Sequence, residues 1–195
     1  MPGGRPREFD AEKALDAALF LFWRRGYEGT SLAALSDAMG INMPSLYASF
    51  GNKEKLFHKA LGRYLQRPAS YLPKALTEPT ARRAAEKLFR GAIDMVMQRS
   101  HPDGCLLVHG ALASGPDADP VRKELSARRA RAEAIIRQRF ERAIKEGDLP
   151  RRVDAGKLAR YVATVIWGMS VQAAGGASRA QLKEVAEMAL QSWPG

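Results

Sequence analysis

The sequence predicts an all-α chain of about nine helices, on three observations. Alanine, leucine, arginine and glutamate dominate its 195 residues. Apolar residues recur at intervals of three and four, not two. The separators carry Gly, Pro and Asp, as in HPDG at 101–104, SGPDAD at 114–119, GDLPRR at 147–152 and GGAS at 175–178. No convincing strand period and no internal repeat breaks the pattern.

The first helix runs from about Asp10 to Arg25. Asp10 suits an N-cap, Leu15, Leu19, Phe22 and Trp23 form an apolar stripe, and Gly26 ends the helix. A short helix from Thr30 or Ser31 to Met39 buries Leu32, Leu35 and Met39, and Gly40 stops it. A third starts after Asn42 and carries Leu46, Tyr47 and Phe50. The turn Gly51-Asn52 opens a fourth, Lys53 to about Arg67, and Pro68 and Pro73 bound a loop. Further helices are expected over about Thr80–Arg99, Cys105–Ala113, Pro120–Gly147, Asp154–Ala174 and Arg179–Trp193.

Pro44 falls where the apolar spacing asks for helix. With Asn42 as cap it lies in the first turn, whose N–H groups have no intrahelical partner, so a missing one costs little. The Asn42 side chain is then placed to accept from the Ser45 N–H, while Met43, before proline, is pushed away from helical angles. A short helix, a Gly40-Ile41 turn and a second short helix have helix-turn-helix spacing. Leu35, Ile41 and Leu46 would fix the pair against Leu19 and Phe22. Asn42, Met43, Pro44, Ser45, Tyr47 and Ser49 are left outward, short or amphipathic groups able to approach base edges and phosphates. An ordinary helical hairpin facing solvent fits the same spacing.

Net charge is +10 at pH 7, which suggests an anionic partner. Residues 1–60 hold eight Lys and Arg against seven acids, so the excess lies mainly in 61–150, where seventeen basic residues face eleven acidic ones. Charge alone therefore points away from the helix-turn-helix. Arg122, Arg128, Arg129, Arg131, Arg137, Arg139 and Arg142 spread around much of one helix and alternate with Glu124, Glu133 and Glu141. That reads as a solvated, ion-paired face, with a nucleic-acid stripe as the competing reading.

The apolar run from Ala163 to Ala174 is broken by Thr164, Gly168, Ser170 and Gln172 and is too short to cross a bilayer. MPGGRPREFD lacks the apolar core of a secretory signal. One cysteine excludes an internal disulfide framework and fits a reducing compartment. The expectation is a soluble, cytoplasmic protein with no membrane partner. Three histidines and one cysteine form no tight cluster with carboxylates, and phosphate-loop spacings are absent. Neither an enzyme nor a metal or other cofactor is expected.

The stretches GRPREFD (4–10) and FWRRGYEGTSLAALSDAMGINMPSLYASFGNKEKLF (22–57) strongly resemble the TetR family of bacterial transcription regulators. The matching features are Gly26-Tyr27 after the first helix, Thr30-Ser31 opening the second, the Gly40-Ile41 turn, Ser45-Leu46-Tyr47, Phe50, and Lys53 opening the fourth. They cover about the first third of the chain, and the nine-helix layout agrees. The resemblance implies a homodimeric repressor. Residues 1–52 would form a helix-turn-helix DNA-binding domain and 53–195 a ligand-binding and dimerisation domain, with helix 53–67 linking the two. It implies that Thr30 or Ser31 and Lys53 hold phosphates of a double-stranded, palindromic DNA operator. Asn42, Met43, Pro44, Ser45, Tyr47 and Ser49 would line the major groove, the Tyr47 hydroxyl meeting a phosphate, and a small-molecule effector would release the DNA.

Met43 departs from the family, where a basic residue is common there. Methionine cannot form arginine's bidentate guanine contact but can touch a thymine methyl. Arg5 and Arg7 read either as an arm in the minor groove or along phosphates, or as a solvated tail. The alternative function is a sequence-independent basic nucleic-acid binder using the middle of the chain.

Two heads reading two half-sites require a dimer. Leu158, Val162, Val165, Ile166 and Met169 give one stripe, and Leu182, Val185, Met188 and Ala189 another. They would pair across a two-fold axis as a four-helix bundle, or else form intramolecular core. Cys105 opens a predicted helix in the context GCLLVHG, one turn before His109, and a cysteine at a helix N-terminus can have a lowered pKa. The segment is similar to that of TetR-type regulators that sense electrophiles through a cysteine. Cys105, His109 and Trp167 are thus candidate ligand- or redox-sensing residues. The plainer readings are a buried small hydrophobe and a noncovalent pocket lined by Met95, Met97, Trp167 or Met169.

Overall fold

The computed structural model describes residues 10–111 and 115–194, so Arg5 and Arg7 lie outside the described residues. The described chain is helical: α1 (Ala11–Arg25), α2 (Leu32–Met39), α3 (Met43–Phe50), α4 (Lys53–Gln66), α5 (Tyr71–Ala75), α6 (Ala81–Val96), α7 (Leu106–His109), a 3-10 turn (Pro116–Ala118), α8 (Asp119–Glu146), α9 (Ala155–Ala174) and α10 (Arg179–Gln191). Each of the nine expected helices is present, and α5 is an addition.

Capping residues set most of the starts. Asp10, Ser31, Asn42, Asn52, Thr80, Asp154 and Ser178 each accept a hydrogen bond from a backbone N–H of the first turn. The Ser178 N–H in turn donates to Gln181 Oε1 at 2.8 Å, completing a capping box. Gly40 and Gly147 close α2 and α8 in the left-handed conformation, which other residues enter only at a cost.

Two expectations are corrected. The loop bounded by Pro68 and Pro73 contains α5, with Pro73 as its third residue. A proline in the first turn removes no helical bond, the same reasoning that admits Pro44 to α3. The helix expected over Cys105–Ala113, whose residues 112–113 lie outside the described residues, is a single turn over Leu106–His109, with Cys105 as its N-cap position. Carbonyls that a longer helix would use are bonded elsewhere. Leu107 O accepts from Arg129, and Gly110 O accepts from the Tyr27 N–H at 2.8 Å. Tertiary partners thus win over local helix propensity.

The core is one continuous apolar cluster. At one end α1–α4 enclose Phe22, Leu35, Leu46 and Phe57, all fully buried, with the Phe22 and Phe57 rings edge-on at 5.1 Å. Burying a leucine such as Leu46 contributes about 2 kcal/mol. Trp23 meets Tyr64 edge-on at 4.8 Å and carries the cluster into the body. There Leu88, Phe89, Ile136 and Phe140 are buried on α6 and α8. On the outside of the head, Arg63 of α4 bonds Glu12 and Asp16 of α1, its Nη2 lying 2.6 Å from Asp16 Oδ2. The Arg63 guanidinium holds the Asp16 carboxyl below its usual pKa.

Candidate DNA-reading face and effector cavity

Gly40 turns the chain after α2, and its N–H donates to the Asp37 carbonyl at 3.1 Å. The Ile41 N–H returns to the Ser36 carbonyl at 3.1 Å, and the Ser36 hydroxyl donates to the Ile41 carbonyl, so side chain and backbone lock the turn together. Asn42 Oδ1 then accepts from the Ser45 N–H at 2.9 Å, and Pro44 sits in the first turn as the sequence requires. Leu46 and Phe50 anchor α3 inward. Asn42, Pro44, Tyr47 and Ser49 are exposed, and Met43 and Ser45 are half-buried beside them. The face carries no charge, and its long side chains are Tyr47, exposed, and Met43, half-buried. Ala48 shares it, a residue that sequence reasoning passed over because alanine offers no chemistry.

Cations flank this face rather than occupy it. Lys53 Nζ lies 4.3 Å from the centre of the Tyr27 ring, a cation–π contact, and burial pushes its ammonium pKa down. Lys59, not anticipated from sequence, donates from Nζ to the Ser49 carbonyl at 3.0 Å and sits over the Phe50 ring. It thereby covers the C-terminal end of α3 with positive charge. Its position one turn after Lys55 was the available signal. Ser31 is exposed, and its Oγ accepts from the Ala34 N–H at 3.1 Å. Thr30 is a correction: it is fully buried, and its hydroxyl donates to the Gly26 carbonyl at 2.7 Å, leaving nothing for a phosphate.

A cavity of about 200 Å³ opens between α4, α6, α8 and α9, with α5 and Cys105 at its wall. Tyr64, Tyr71, Met95, Cys105, Trp167 and Met169 line it, and Arg128 and Arg131 complete the wall on α8. Met95, Trp167 and Met169 are where the pocket reading put them, and Met97 is not among the lining residues. Tyr71 escaped sequence reasoning because it lay in the expected loop between Pro68 and Pro73, and Tyr64 because it lay on the helix read only as the link between domains. The Tyr64 hydroxyl donates to Cys105 Sγ at 3.1 Å, yet burial dominates and pushes the thiol pKa up. This corrects the expectation of a lowered pKa, because a single helical turn with a buried end offers little dipole. His109 does not line the cavity. Its Nε2 lies 3.5 Å from the Ser170 carbonyl, and it faces a separate surface cleft beside Phe20 and Trp23. Among the described residues no group of three or more His, Cys, Asp or Glu could hold a metal ion.

The segment that carries Cys105 also holds the head. Trp23 Nε1 donates to the Gly104 carbonyl at 3.1 Å, and the Glu28 carboxylate accepts from the Gly115 N–H at 2.9 Å. With the Tyr27–Gly110 bond, three ties from α1 and the turn after it meet Gly104, Gly110 and Gly115. Gly104 and Gly110 flank the wall residues Cys105 and Leu107, so the segment that carries this part of the wall is hydrogen-bonded to the reading head.

The α9–α10 stripes need correction too. Val162, Ile166 and Met169 are buried inside the protomer, the last two against the cavity, so they face the core and not a partner. Val165 is half-buried, and Val185 and Met188 are exposed, Met188 by 67%. Tyr161 and Val171 share that outward surface. The strongest apolar stripe on a helix marks its core face, and Thr164 and Gly168 dilute the second one.

Comparison with known proteins agrees with this architecture. Residues 14–60 match the family described as bacterial regulatory proteins, tetR family, and residues 81–189 match the tetracyclin repressor-like C-terminal domain. The HTH-type transcriptional repressor ComR of Escherichia coli (strain K12) is 36% identical over 98% of this chain and 92% of its own length. The HTH-type transcriptional repressor BdcR of the same strain is 32% identical over 95% of this chain and 90% of its own. A cysteine mutant of the TetR family transcriptional regulator CifR, solved in complex with 26bp double-strand operator DNA, superposes with a TM-score of 0.94 at 44% identity, covering 98% of this chain and all of that one. This chain belongs to the TetR family of bacterial transcription regulators and is a regulator, not an enzyme.

Proposed function

We propose that the protein is a ligand-responsive repressor that binds a palindromic operator as a homodimer and is released by a small molecule. The observation that carries this is that segment 104–110, which supplies Cys105 and Leu107 to the cavity wall, is hydrogen-bonded at Gly104 and Gly110 to the α1 end of the head. Residues 1–52 form the DNA-binding domain, 53–195 the ligand-binding and dimerisation domain, and α4 links them. Asn42, Met43, Pro44, Ser45, Tyr47 and Ser49 enter the major groove, with Ala48 allowing close approach. Ser31, Lys53 and Lys59 hold phosphates on either side. Repressor relatives and the operator-bound CifR structure support this reading. Such a protein acts in the cytoplasm, and no helix among the described residues is long and apolar enough to cross a membrane.

The dimer forms through the outward surface of α9 and α10, centred on Tyr161, Val165, Val171, Val185 and Met188. An effector in the cavity favours one placement of residues 104–110 and thus one spacing of the two heads. Operator affinity falls by the difference in effector affinity for the two states. Cys105 belongs to this reading as a wall residue; its raised pKa makes it a slow nucleophile unless the cavity delivers the electrophile to it.

The test is fluorescence anisotropy on DNA upstream of the protein's own coding region, in excess competitor, with and without a thiol-reactive electrophile, for wild type and Cys105→Ser. Competitor-resistant binding with release unaffected by Cys105→Ser supports a noncovalent effector. Release abolished in Cys105→Ser assigns sensing to the thiol. Steeply salt-dependent binding without sequence preference supports instead a non-specific basic binder.

A further inference from the structure

We propose that the effector is a small organic anion, a carboxylate with a compact apolar body, seated with its charge against Arg131. This rests on the cavity being the effector site. Six of the seven arginines of α8 are engaged. Arg122, Arg128, Arg137 and Arg142 pair with acids three or four residues away, and Arg129 and Arg139 donate to backbone carbonyls. Arg131 has no hydrogen-bond or ion-pair partner among the described residues, and it lines the cavity beside Arg128 while remaining exposed, so it stands where the cavity meets solvent. Arg128 is neutralised by Glu124, its Nε lying 2.6 Å from the carboxylate.

The α8 face toward the cavity is graded. Arg128 and Arg131 stand at its N-terminal end, and Ile135 and Ile136 continue one turn further on. Among the described residues no carboxylate lines the cavity. The wall thus offers one unmatched positive charge at one end and apolar surface beyond it, which complements a singly charged amphipathic anion. A guanidinium holds a carboxylate by two parallel hydrogen bonds, stronger than contacts to a neutral oxygen. Size limits the body. An apolar cavity of about 150 Å³ takes benzene, so about 200 Å³ takes a ring with a short tether.

The experiment is isothermal titration calorimetry of the full chain with 3-phenylpropanoate and its neutral counterpart 3-phenylpropan-1-ol. Wild type is compared with Arg131→Gln, Arg131→Lys and the cavity-filling Ala163→Leu. If Ala163→Leu melts early, Ile166→Phe replaces it. The expected result is tighter binding of the acid than of the alcohol by wild type. Arg131→Gln should weaken the acid about two- to fivefold, as for an ion pair open to solvent, and leave the alcohol unchanged. Arg131→Lys should retain part of the preference, and Ala163→Leu should weaken both probes. Alcohol binding as tight as the acid, or an acid affinity indifferent to Arg131→Gln, overturns the anion while leaving the cavity as a site. No binding of either probe, or binding unchanged by the filled cavity, overturns the cavity reading and this inference with it.

Discussion

Compare α3 with α8. The first has eight residues and no charge; the second has 28 residues and seven arginines. On charge alone α8 is the nucleic-acid element, yet its arginines are turned to ion pairs, carbonyls and a cavity. The α3 side chains that face outward are uncharged and, Tyr47 and Met43 apart, short, and the cations Lys53 and Lys59 stand at its flanks. Close approach to base edges needs small groups, and phosphates need charge nearby rather than on the reading helix itself. Charge that is neutralised within the protomer is not available to a partner.

That contrast can be broken at its root by Leu46→Ala. Emptying a fully buried site costs about 2–5 kcal/mol, so thermal melting should fall and operator binding should vanish with it. An unchanged melt would mean that α3 is not held by this core. Next comes Tyr47→Ala, on a residue 47% exposed. Operator affinity should drop about 5- to 150-fold, from about 1–3 kcal/mol of lost contact, with no change in melting temperature. Equal affinity would remove Tyr47 from the interface.

Asn42→Ala separates folding from reading. Losing the cap costs about 1 kcal/mol, whereas Asn42→Asp keeps the cap but places a negative charge near phosphate. Asp should therefore melt like wild type and bind DNA more weakly, as calorimetry and anisotropy on the same preparations would show. Asp16→Asn tests the clamp behind the head. The Asp16 carboxyl has a folded pKa below its ordinary 3.8 because Arg63 bonds it. Its contribution is therefore present above the unfolded value and lost as pH falls through the folded one. Denaturation at neutral pH should show a loss of about 1 kcal/mol, the acid being half exposed, and the two proteins should converge in acid. The smallest effect belongs to α8: Arg137→Gln with Arg142→Gln should change stability by no more than about 0.5 kcal/mol and leave specific DNA binding intact. A large loss there would reverse the comparison.

The head was almost fully legible because local chemistry determines it. Asn42, Pro44 and Gly40 each announce a backbone position, and the cap found at Asn42 is the one the spacing required. Thr30 was misplaced because the family resemblance offers Thr30 or Ser31 by position without regard to burial, and only the fold shows Gly26 O beneath the Thr30 hydroxyl. The body was less legible. The turn at α7 is cut short by partners 22 and 83 residues away in sequence, Arg129 and Tyr27. Periodicity finds a helix's most apolar face, so it found the core side of α9 through Val162 and Met169 and missed the outward side with Tyr161 and Val171. The cavity has no sequence signature, because its wall is assembled from five separate segments.

The most direct test is selection of binding sites from a random duplex pool by the full chain. Wild type is run beside Tyr47→Ala and an Arg122→Gln, Arg137→Gln, Arg142→Gln triple variant. Wild type and the triple variant should enrich one inverted-repeat sequence, and Tyr47→Ala should enrich none. Enrichment kept by Tyr47→Ala and lost by the triple variant would place the reading on α8 and contradict a reading head at α3.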